Sequence, residues 1–203
     1  GQPGRYVGSL EGAAQLNKRE GTSMQSEMDR LMQKGWIRRD YTLTGRQAYI
    51  WGTLMALPFV VFAGGLYRVF LLHRAILLSH TSLILLAVIV VSVPVHELLH
   101  GLGWKLAGRL EKDKIKFLFQ HGMPMCACQA VLSARDYLIG VSLPFLVLGG
   151  GGMVFIIVYP GTVSVLTVWV NLLLSGADLL IAWKVLRCGA MRAADHPNQA
   201  GFI

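Results

Sequence analysis

Residues 81–104 read TSLILLAVIVVSVPVHELLHGLGW, and this stretch decides the fold. Its apolar part, Thr81 to Val95, is too short to cross a bilayer, which requires about 20 residues in a helix. The segment reaches that length only when the helix continues through HELLH at residues 96–100 to Trp104. We therefore expect a membrane helix that carries two histidines and a glutamate inside the span.

The rest of the composition supports a membrane protein. Of the 203 residues, 54% are hydrophobic and only 15% are charged, and the mean hydropathy of +0.51 is too high for an ordinary soluble domain. No charged residue lies between Arg46 and Arg68 or between Asp136 and Asp178. We expect an all-α membrane protein, and its four transmembrane helices are predicted at roughly 47–67, 81–104, 137–158 and 162–183.

The net charge of +8 is unevenly distributed. Lys and Arg are concentrated before the first span, between the second and third spans and after the last, whereas the other two connections hold only Arg68 and Arg74. By the positive-inside rule, both termini and the long connection face the cytosol. We assign the charge to topology and to contact with anionic lipids of the bilayer, and we expect no nucleic-acid partner. Because the three cysteines, at positions 126, 128 and 188, fall on this reducing side, no disulfide is expected.

The chain divides into three parts by composition. Residues 1–46 form a cytosolic N-terminal segment with a short amphipathic helix from Ser23 to Lys34, residues 47–186 form the membrane domain, and residues 187–203 form a cytosolic tail.

A short cytosolic β-hairpin is predicted between helices 2 and 3. Apolar residues alternate at Ile115, Phe117 and Phe119, the segment from His121 to Pro124 turns the chain, and Met125 to Val131 returns. In this hairpin Cys126 and Cys128 share one face. They are either small apolar residues or, with His121, part of a metal site.

In helix 3 the run from Gly149 to Gly152 allows two interpretations. Small residues permit close helix packing in a membrane, and they also permit a hinge.

The two histidines of HELLH have the spacing of metal ligands. His96 and His100 lie four residues apart, so their imidazoles project from one face of a helix and can bind one Zn²⁺. Zinc lowers the pKa of a bound water, and Glu97 beside the histidines is the candidate general base that takes its proton. An ionisable side chain in mid-span costs about 2.5–3.5 kcal/mol, so three of them within five residues require a compensating partner such as a metal.

A third protein ligand is needed, because catalytic zinc has three protein ligands and a water. Leu106 stands where a metzincin would have its last histidine, and the only later glutamate is Glu111, in the basic connection. Asp178 is the only other carboxylate inside a span. At 1.5 Å per residue it lies about 9 Å above Lys184, a depth comparable to that of the histidines above Lys105. The alternative is an aspartate paired with a neighbouring asparagine or backbone group.

Two motifs together resemble a known family. HELLHG at residues 96–101 and NLLLSGAD at residues 171–178 are similar to those of the small bacterial membrane proteins called putative zincin peptidases, which in turn resemble the site-2 proteases. The resemblance covers roughly Gln47 to Leu186. It implies zinc, a bacterial cell membrane, Glu97 as catalytic base and Asp178 as third ligand. The chain lacks the Leu-Asp-Gly and the prolines of the site-2 pattern, so substrate handling is expected to differ.

Asn171 is a second candidate catalytic residue. It lies seven residues before Asp178, which is about two turns of a continuous helix. Its amide could donate to a substrate carbonyl or developing oxyanion, or it could serve an interhelical hydrogen bond.

These features predict an integral-membrane zinc metalloendopeptidase of the His-Glu-x-x-His type. It would hydrolyse peptide bonds within or beside the bilayer by a zinc-activated water, on membrane-protein or membrane-proximal peptide substrates that add as a strand to the hairpin. Two alternatives stay open: a catalytically idle metal-binding membrane adaptor or chaperone, and a divalent metal transporter. The residue pattern gives no indication of oligomeric state.

Overall fold

Apolar helices make up most of the structure. The computed structural model describes residues 24–71, 81–120, 123–196 and 200–203. The expected turn residues His121 and Gly122, and Ser23 at the start of the amphipathic helix, lie outside the described residues. The helices are α1 (24–33), α2 (Gly45–Leu71), α3 (Thr81–Ala107), α4 (Ala134–Pro144), α5 (Gly151–Val158), α6 (Thr162–Leu174) and α7 (Gly176–Cys188).

Within the described residues, three helical segments are long and apolar enough to cross a membrane, namely Gly45–Val69, Leu83–Ala107 and Ala134–Val158. Helices α6 and α7 qualify as a fourth if the bent pair counts as one span. Large apolar side chains point outward along these helices and are 62–66% exposed at Val61, Phe62, Val90 and Val91. Such surfaces are costly in water and suit contact with lipid. The architecture is thus mostly helical with three or four candidate spans.

Two of the expected helices are interrupted. The third span runs from α4 through a π-helical turn at Phe145–Gly150 into α5. The predicted single helix at 162–183 is wrong in detail, because α6 and α7 meet at Ser175 at an angle of 44°.

Glycine packing accounts for the position of the α6–α7 bend. A Cβ on Gly176 would lie 2.4 Å from the carbonyl oxygen of Gly52 in α2, and a Cβ on Gly52 would lie 2.7 Å from the backbone nitrogen of Ala177. Only two glycines allow the backbones to approach this closely. The start of α7 is therefore held against α2.

The run from Gly149 to Gly152 is used mainly for packing. A Cβ on Gly149 or Gly152 would lie 2.7–2.8 Å from side chains of α6, whereas Gly150 and Gly151 face open space. The first and last glycines of the run, three residues apart, thus bring this span against α6.

In the part of the chain that the structure describes, the strands form three two-stranded antiparallel pairs. Strands β2 (Ile115–Gln120) and β3 (Met123–Cys128) make the hairpin between α3 and α4, with Phe117 opposite Cys126. The other pairs were not predicted from the sequence: β1 (Tyr41–Leu43) pairs with β6 (Ala200–Phe202), and β4 (Leu132–Ser133) pairs with β5 (Arg192–Ala193).

The tail and the amphipathic helix pack on the body of the protein. Phe202 of β6 is buried in the same cluster as Trp104 of α3 and Tyr137 of α4. Met24 and Met28 of α1 are buried beside the tail residue Ala194. Helix α1 and the described residues of the tail therefore cover the end of the bundle where α3 ends and α4 begins.

Candidate metal centre

Three side chains from two helices converge at one point. His96 and His100 of α3 are buried, and Asp178 lies in the first turn of α7. The Nε2 atoms of the two histidines are 3.1 Å apart, and the Asp178 carboxylate lies 3.0 Å from His96 Nε2 through Oδ2 and 3.5 Å from His100 Nε2 through Oδ1. Of all the described His, Cys, Asp and Glu side chains, these three are the ones that lie close enough together to hold one metal ion.

The spacing of these atoms fits a tetrahedral metal. Two ligand atoms that are each about 2.0–2.1 Å from a tetrahedral zinc lie about 3.3–3.4 Å from one another. The three separations of 3.0, 3.1 and 3.5 Å bracket this value. Two imidazoles and one carboxylate are also ligand types that catalytic zinc uses. The residues therefore fit zinc without rearrangement of the helices.

The backbone of α4 fixes the protonation of His100. Its Nδ1 lies 2.9 Å from the Gly140 carbonyl oxygen. Because a carbonyl can only accept, Nδ1 carries a proton, so in a neutral ring Nε2 has the lone pair that a metal can bind. A hydrogen bond from the second ring nitrogen is the usual support of a metal-binding histidine. By contrast, His96 Nδ1 is buried without a hydrogen-bond partner among the described residues.

Two glycines let α4 come close enough for this hydrogen bond. A Cβ on Gly103 would lie 2.7 Å from the Gly140 Cα, and a Cβ on Gly140 would lie 2.0 Å from the Trp104 ring. That ring stacks on His100 at 5.4 Å between centroids, and its Nε1 donates to the Tyr137 carbonyl. His100 is thus fixed on one side by Trp104 and at its second nitrogen by Gly140.

Glu97 is oriented by a hydrogen bond from the hairpin. It is partly exposed, and its Oε2 accepts the backbone N–H of Cys126 in β3. The Cys126 side chain packs on Gly101 of α3, so the hairpin lies directly against the helix that carries the motif. Glu97 therefore has one fixed oxygen and lies next to His96 in the chain.

The two hairpin cysteines have the properties of small apolar residues. Cys126 and Cys128 are buried, and burial raises the pKa of each thiol to about 12. Neither belongs to the metal-binding group of the described residues. Because only a thiolate is a strong metal ligand, these neutral thiols do not favour a second metal site.

Asn171 lies across the bend from Asp178. The two-turn argument for a shared face assumes a continuous helix, but Asn171 belongs to α6 and Asp178 to α7. Its Nδ2 donates to Ser92 Oγ at 3.1 Å and to the Thr167 carbonyl at 2.8 Å, so both amide hydrogens are used. Its Oδ1 is buried without a partner among the described residues. This geometry favours the interhelical role, and a substrate contact by the amide N–H stays a prediction.

Several groups at the site do not belong to any recognisable sequence motif. The Gly140 carbonyl and the Cys126 N–H are backbone groups, which every non-proline residue possesses. Asp195 of the tail accepts hydrogen bonds from the Tyr137 hydroxyl and the Cys128 N–H. Only its position as a lone carboxylate in a basic tail could have drawn attention to it.

Comparison with known proteins agrees with this geometry. A family model described as putative zincin peptidase matches residues 89–191, which include both histidines, Glu97 and Asp178. No curated protein and no solved structure matches the chain. A zincin family implies zinc, and the structure supplies a cluster that can bind it. Because the match covers just over half of the 203 residues, the chain belongs to the putative zincin peptidase family.

Proposed function

We propose that the protein is an integral-membrane zinc metalloendopeptidase of the His-Glu-x-x-His type, cleaving peptide bonds within or beside the bilayer. The observation that carries this proposal is the convergence of His96, His100 and Asp178. The histidines lie on α3, which is long and apolar enough to cross a membrane, and the aspartate lies on α7, which qualifies together with α6. Glu97 follows His96 directly and is free of the metal-binding group.

Each side chain has a distinct part in the proposed hydrolysis. Zinc, when bound, supplies a Lewis acid and a water that ionises near neutral pH. The Nδ1–H of His100 donates a hydrogen bond to the Gly140 carbonyl, so Nε2 is the ring nitrogen that would bind zinc. Asp178 supplies the negative charge that two neutral imidazoles lack. Glu97 takes the proton from the attacking water and passes it to the leaving amine.

The hairpin is the proposed substrate-binding element, and its two edges differ. Cys126 N–H donates to Glu97, and Cys128 N–H donates to Asp195, so the outer edge of β3 is already used. Because paired residues of an antiparallel ladder point the same way, Phe117 opposite Cys126 directs its backbone N–H away from β3. This outward orientation of the Phe117 N–H favours strand addition at β2.

A location in the cell membrane with both termini in the cytosol is also part of the proposal. Strand β1 directly precedes α2, and β6 lies near the end of the chain, yet the two strands pair. Paired strands lie on one side of a bilayer, so the chain between them crosses an even number of times. Counting α6 and α7 as one span gives four crossings, and the basic segments support a cytosolic location for the shared side.

The proposal is tested by comparing the membrane proteomes of cells that express the wild type or Glu97→Gln. Fragments ending at or near membrane segments should appear only with the wild type. Identical proteomes, together with stoichiometric zinc in the purified protein, would instead favour the idle adaptor or chaperone. Zinc uptake into vesicles reconstituted with the protein would favour the transporter.

A further inference from the structure

Asp195 is a carboxylate that the proposed chemistry does not use. It follows β5 in the tail and forms a bridge with Phe202 of β6. One oxygen accepts the Tyr137 hydroxyl, and the other accepts the Cys128 N–H at 2.7 Å. Burial raises the pKa of Asp195 to about 6, so it is ionised at neutral pH and both oxygens accept hydrogen bonds.

Asp195 and Glu97 bind the same edge of the same strand. The N–H groups of Cys126 and Cys128 point outward from β3 on one side, since residues two apart in a strand share an orientation. Glu97 accepts the first of these groups and Asp195 accepts the second. On the opposite side of β3, Gln129 N–H donates to the Lys114 carbonyl, so the ladder with β2 fixes that side.

Through Asp195, the tail contacts β3 and α4, which both adjoin the metal centre. The Tyr137 ring stacks near Trp104 at 6.0 Å between centroids, and Trp104 stacks on His100. Asp195 thus binds two elements next to the metal centre. It contacts α4 through Tyr137 and β3 through Cys128.

We propose that Asp195 is a positioning residue for Glu97, acting through β3. It holds Cys128 so that the Cys126 N–H stays directed at the Glu97 carboxylate. This inference rests on the proposed function, because it takes Glu97 to be the general base. Without Asp195 the strand gains freedom, and the Glu97 carboxylate loses its fixed orientation while His96, His100 and Asp178 are untouched.

The test uses the purified full chain with Asp195→Ala, Asp195→Asn and Tyr137→Phe. Asp195→Ala should lower kcat by about 10- to 100-fold, the range expected for a misplaced catalytic group, with KM and zinc content near wild type. Asp195→Asn keeps an acceptor oxygen for Cys128 and should restore most of kcat. Tyr137→Phe removes one bond to Asp195 without touching β3 and should have the smallest effect.

A second readout does not depend on turnover. Amide hydrogen exchange at Cys126 should accelerate in Asp195→Ala, although Cys126 donates to Glu97 and not to Asp195. Unchanged exchange and kcat in Asp195→Ala would overturn the proposal. So would a loss of zinc and of thermal stability that parallels kcat in both Asp195 variants, because the role would then be structural. If the wild type cleaves no substrate, the proposed function fails, and the exchange at Cys126 still decides whether Asp195 positions β3.

Discussion

At the scale of single residues, the two carboxylates near the histidines have different surroundings. Asp178 faces both Nε2 atoms, whereas Glu97 accepts a backbone N–H from the hairpin. We therefore predict that Glu97→Gln retains about one zinc per chain while kcat falls by about 10²- to 10⁴-fold, the usual contribution of a general base. His96→Ala, His100→Ala and Asp178→Ala should each lose zinc. Metal analysis of the purified variants, combined with turnover, separates the two roles. Metal-free Glu97→Gln beside fully loaded Asp178→Ala would reverse them.

Asn171 provides a second prediction at this scale. Its amide donates to Ser92 Oγ, one turn before His96, so it links α6 to α3. If this hydrogen bond is its function, Asn171→Ala and Ser92→Ala should be coupled by about 0.6 kcal/mol in the free energy of unfolding, the average for polar pairs in membrane proteins. Turnover of Ser92→Ala should then fall as much as that of Asn171→Ala. A large loss of kcat in Asn171→Ala alone would support a contact with the substrate.

The sequence predicts the site residues unequally, for physical reasons. The helical period places His96 and His100 on one face, and the cost of a charge in a membrane makes Asp178 conspicuous; the structure brings these three together. The same period cannot relate Asn171 to Asp178, because it does not predict the bend at Ser175 between them. Close packing of Gly176 on Gly52 accompanies this bend and involves residues distant in the chain.

At the scale of elements, the approach of α3 to α4 determines the geometry of His100. Gly103→Ala would place a methyl group against the Gly140 backbone, and Gly140→Ala would place one inside the Trp104 ring. We predict that either variant lowers the free energy of unfolding by about 1–3 kcal/mol, as overpacking does, and weakens zinc retention. Gly150→Ala is the matched control, because its Cβ would meet open space. Thermal denaturation and metal analysis of the three variants test this. Equal zinc retention in all three would mean that the Gly140 carbonyl does not support His100.

The hairpin was predicted from alternation, and its strands are present at Ile115–Gln120 and Met123–Cys128. We predict that Phe117→Pro and Ala127→Pro strongly depress cleavage and leave zinc content and membrane insertion near wild type. Phe117→Pro removes a donor at the outer edge of β2, whereas Ala127 faces β2 and its replacement disturbs the ladder.

Phe117→Ala is the control for the backbone donor, since it loses the ring but keeps the N–H. It should cleave better than Phe117→Pro in an assay with a membrane-segment substrate. Unchanged cleavage in both proline variants would exclude strand addition to the hairpin, and the glycines of the third span would then be the next region to test.

At the scale of the whole molecule, long-range pairing is the part that sequence patterns do not predict. The periods of hydrophobicity locate helices because they depend on neighbours a few residues apart. The pairing of Tyr41 with Phe202 and of Leu132 with Ala193 joins segments distant in the chain, and each strand has only two or three residues. Such strands are too short to give an alternating pattern, so the sequence predicts no strand in the tail, although Phe202 is buried in the core.

This pairing supports a prediction about the topology. Because β1 and β6 form one ladder, we expect β6 on the side of the membrane on which α2 begins. The concentration of Lys and Arg before α2, after α3 and after α7 predicts that this side is the cytosol. Reporter fusions at Gly1 and Ile203 should therefore both give cytosolic signals, and a tag in the connection between α2 and α3 should be extracytoplasmic. The argument from the β1–β6 ladder and the argument from the basic residues can be refuted independently. Two extracytoplasmic termini would refute the charge argument and keep four crossings, whereas termini on opposite sides would be incompatible with the β1–β6 ladder and would leave α6 and α7 short of a complete span.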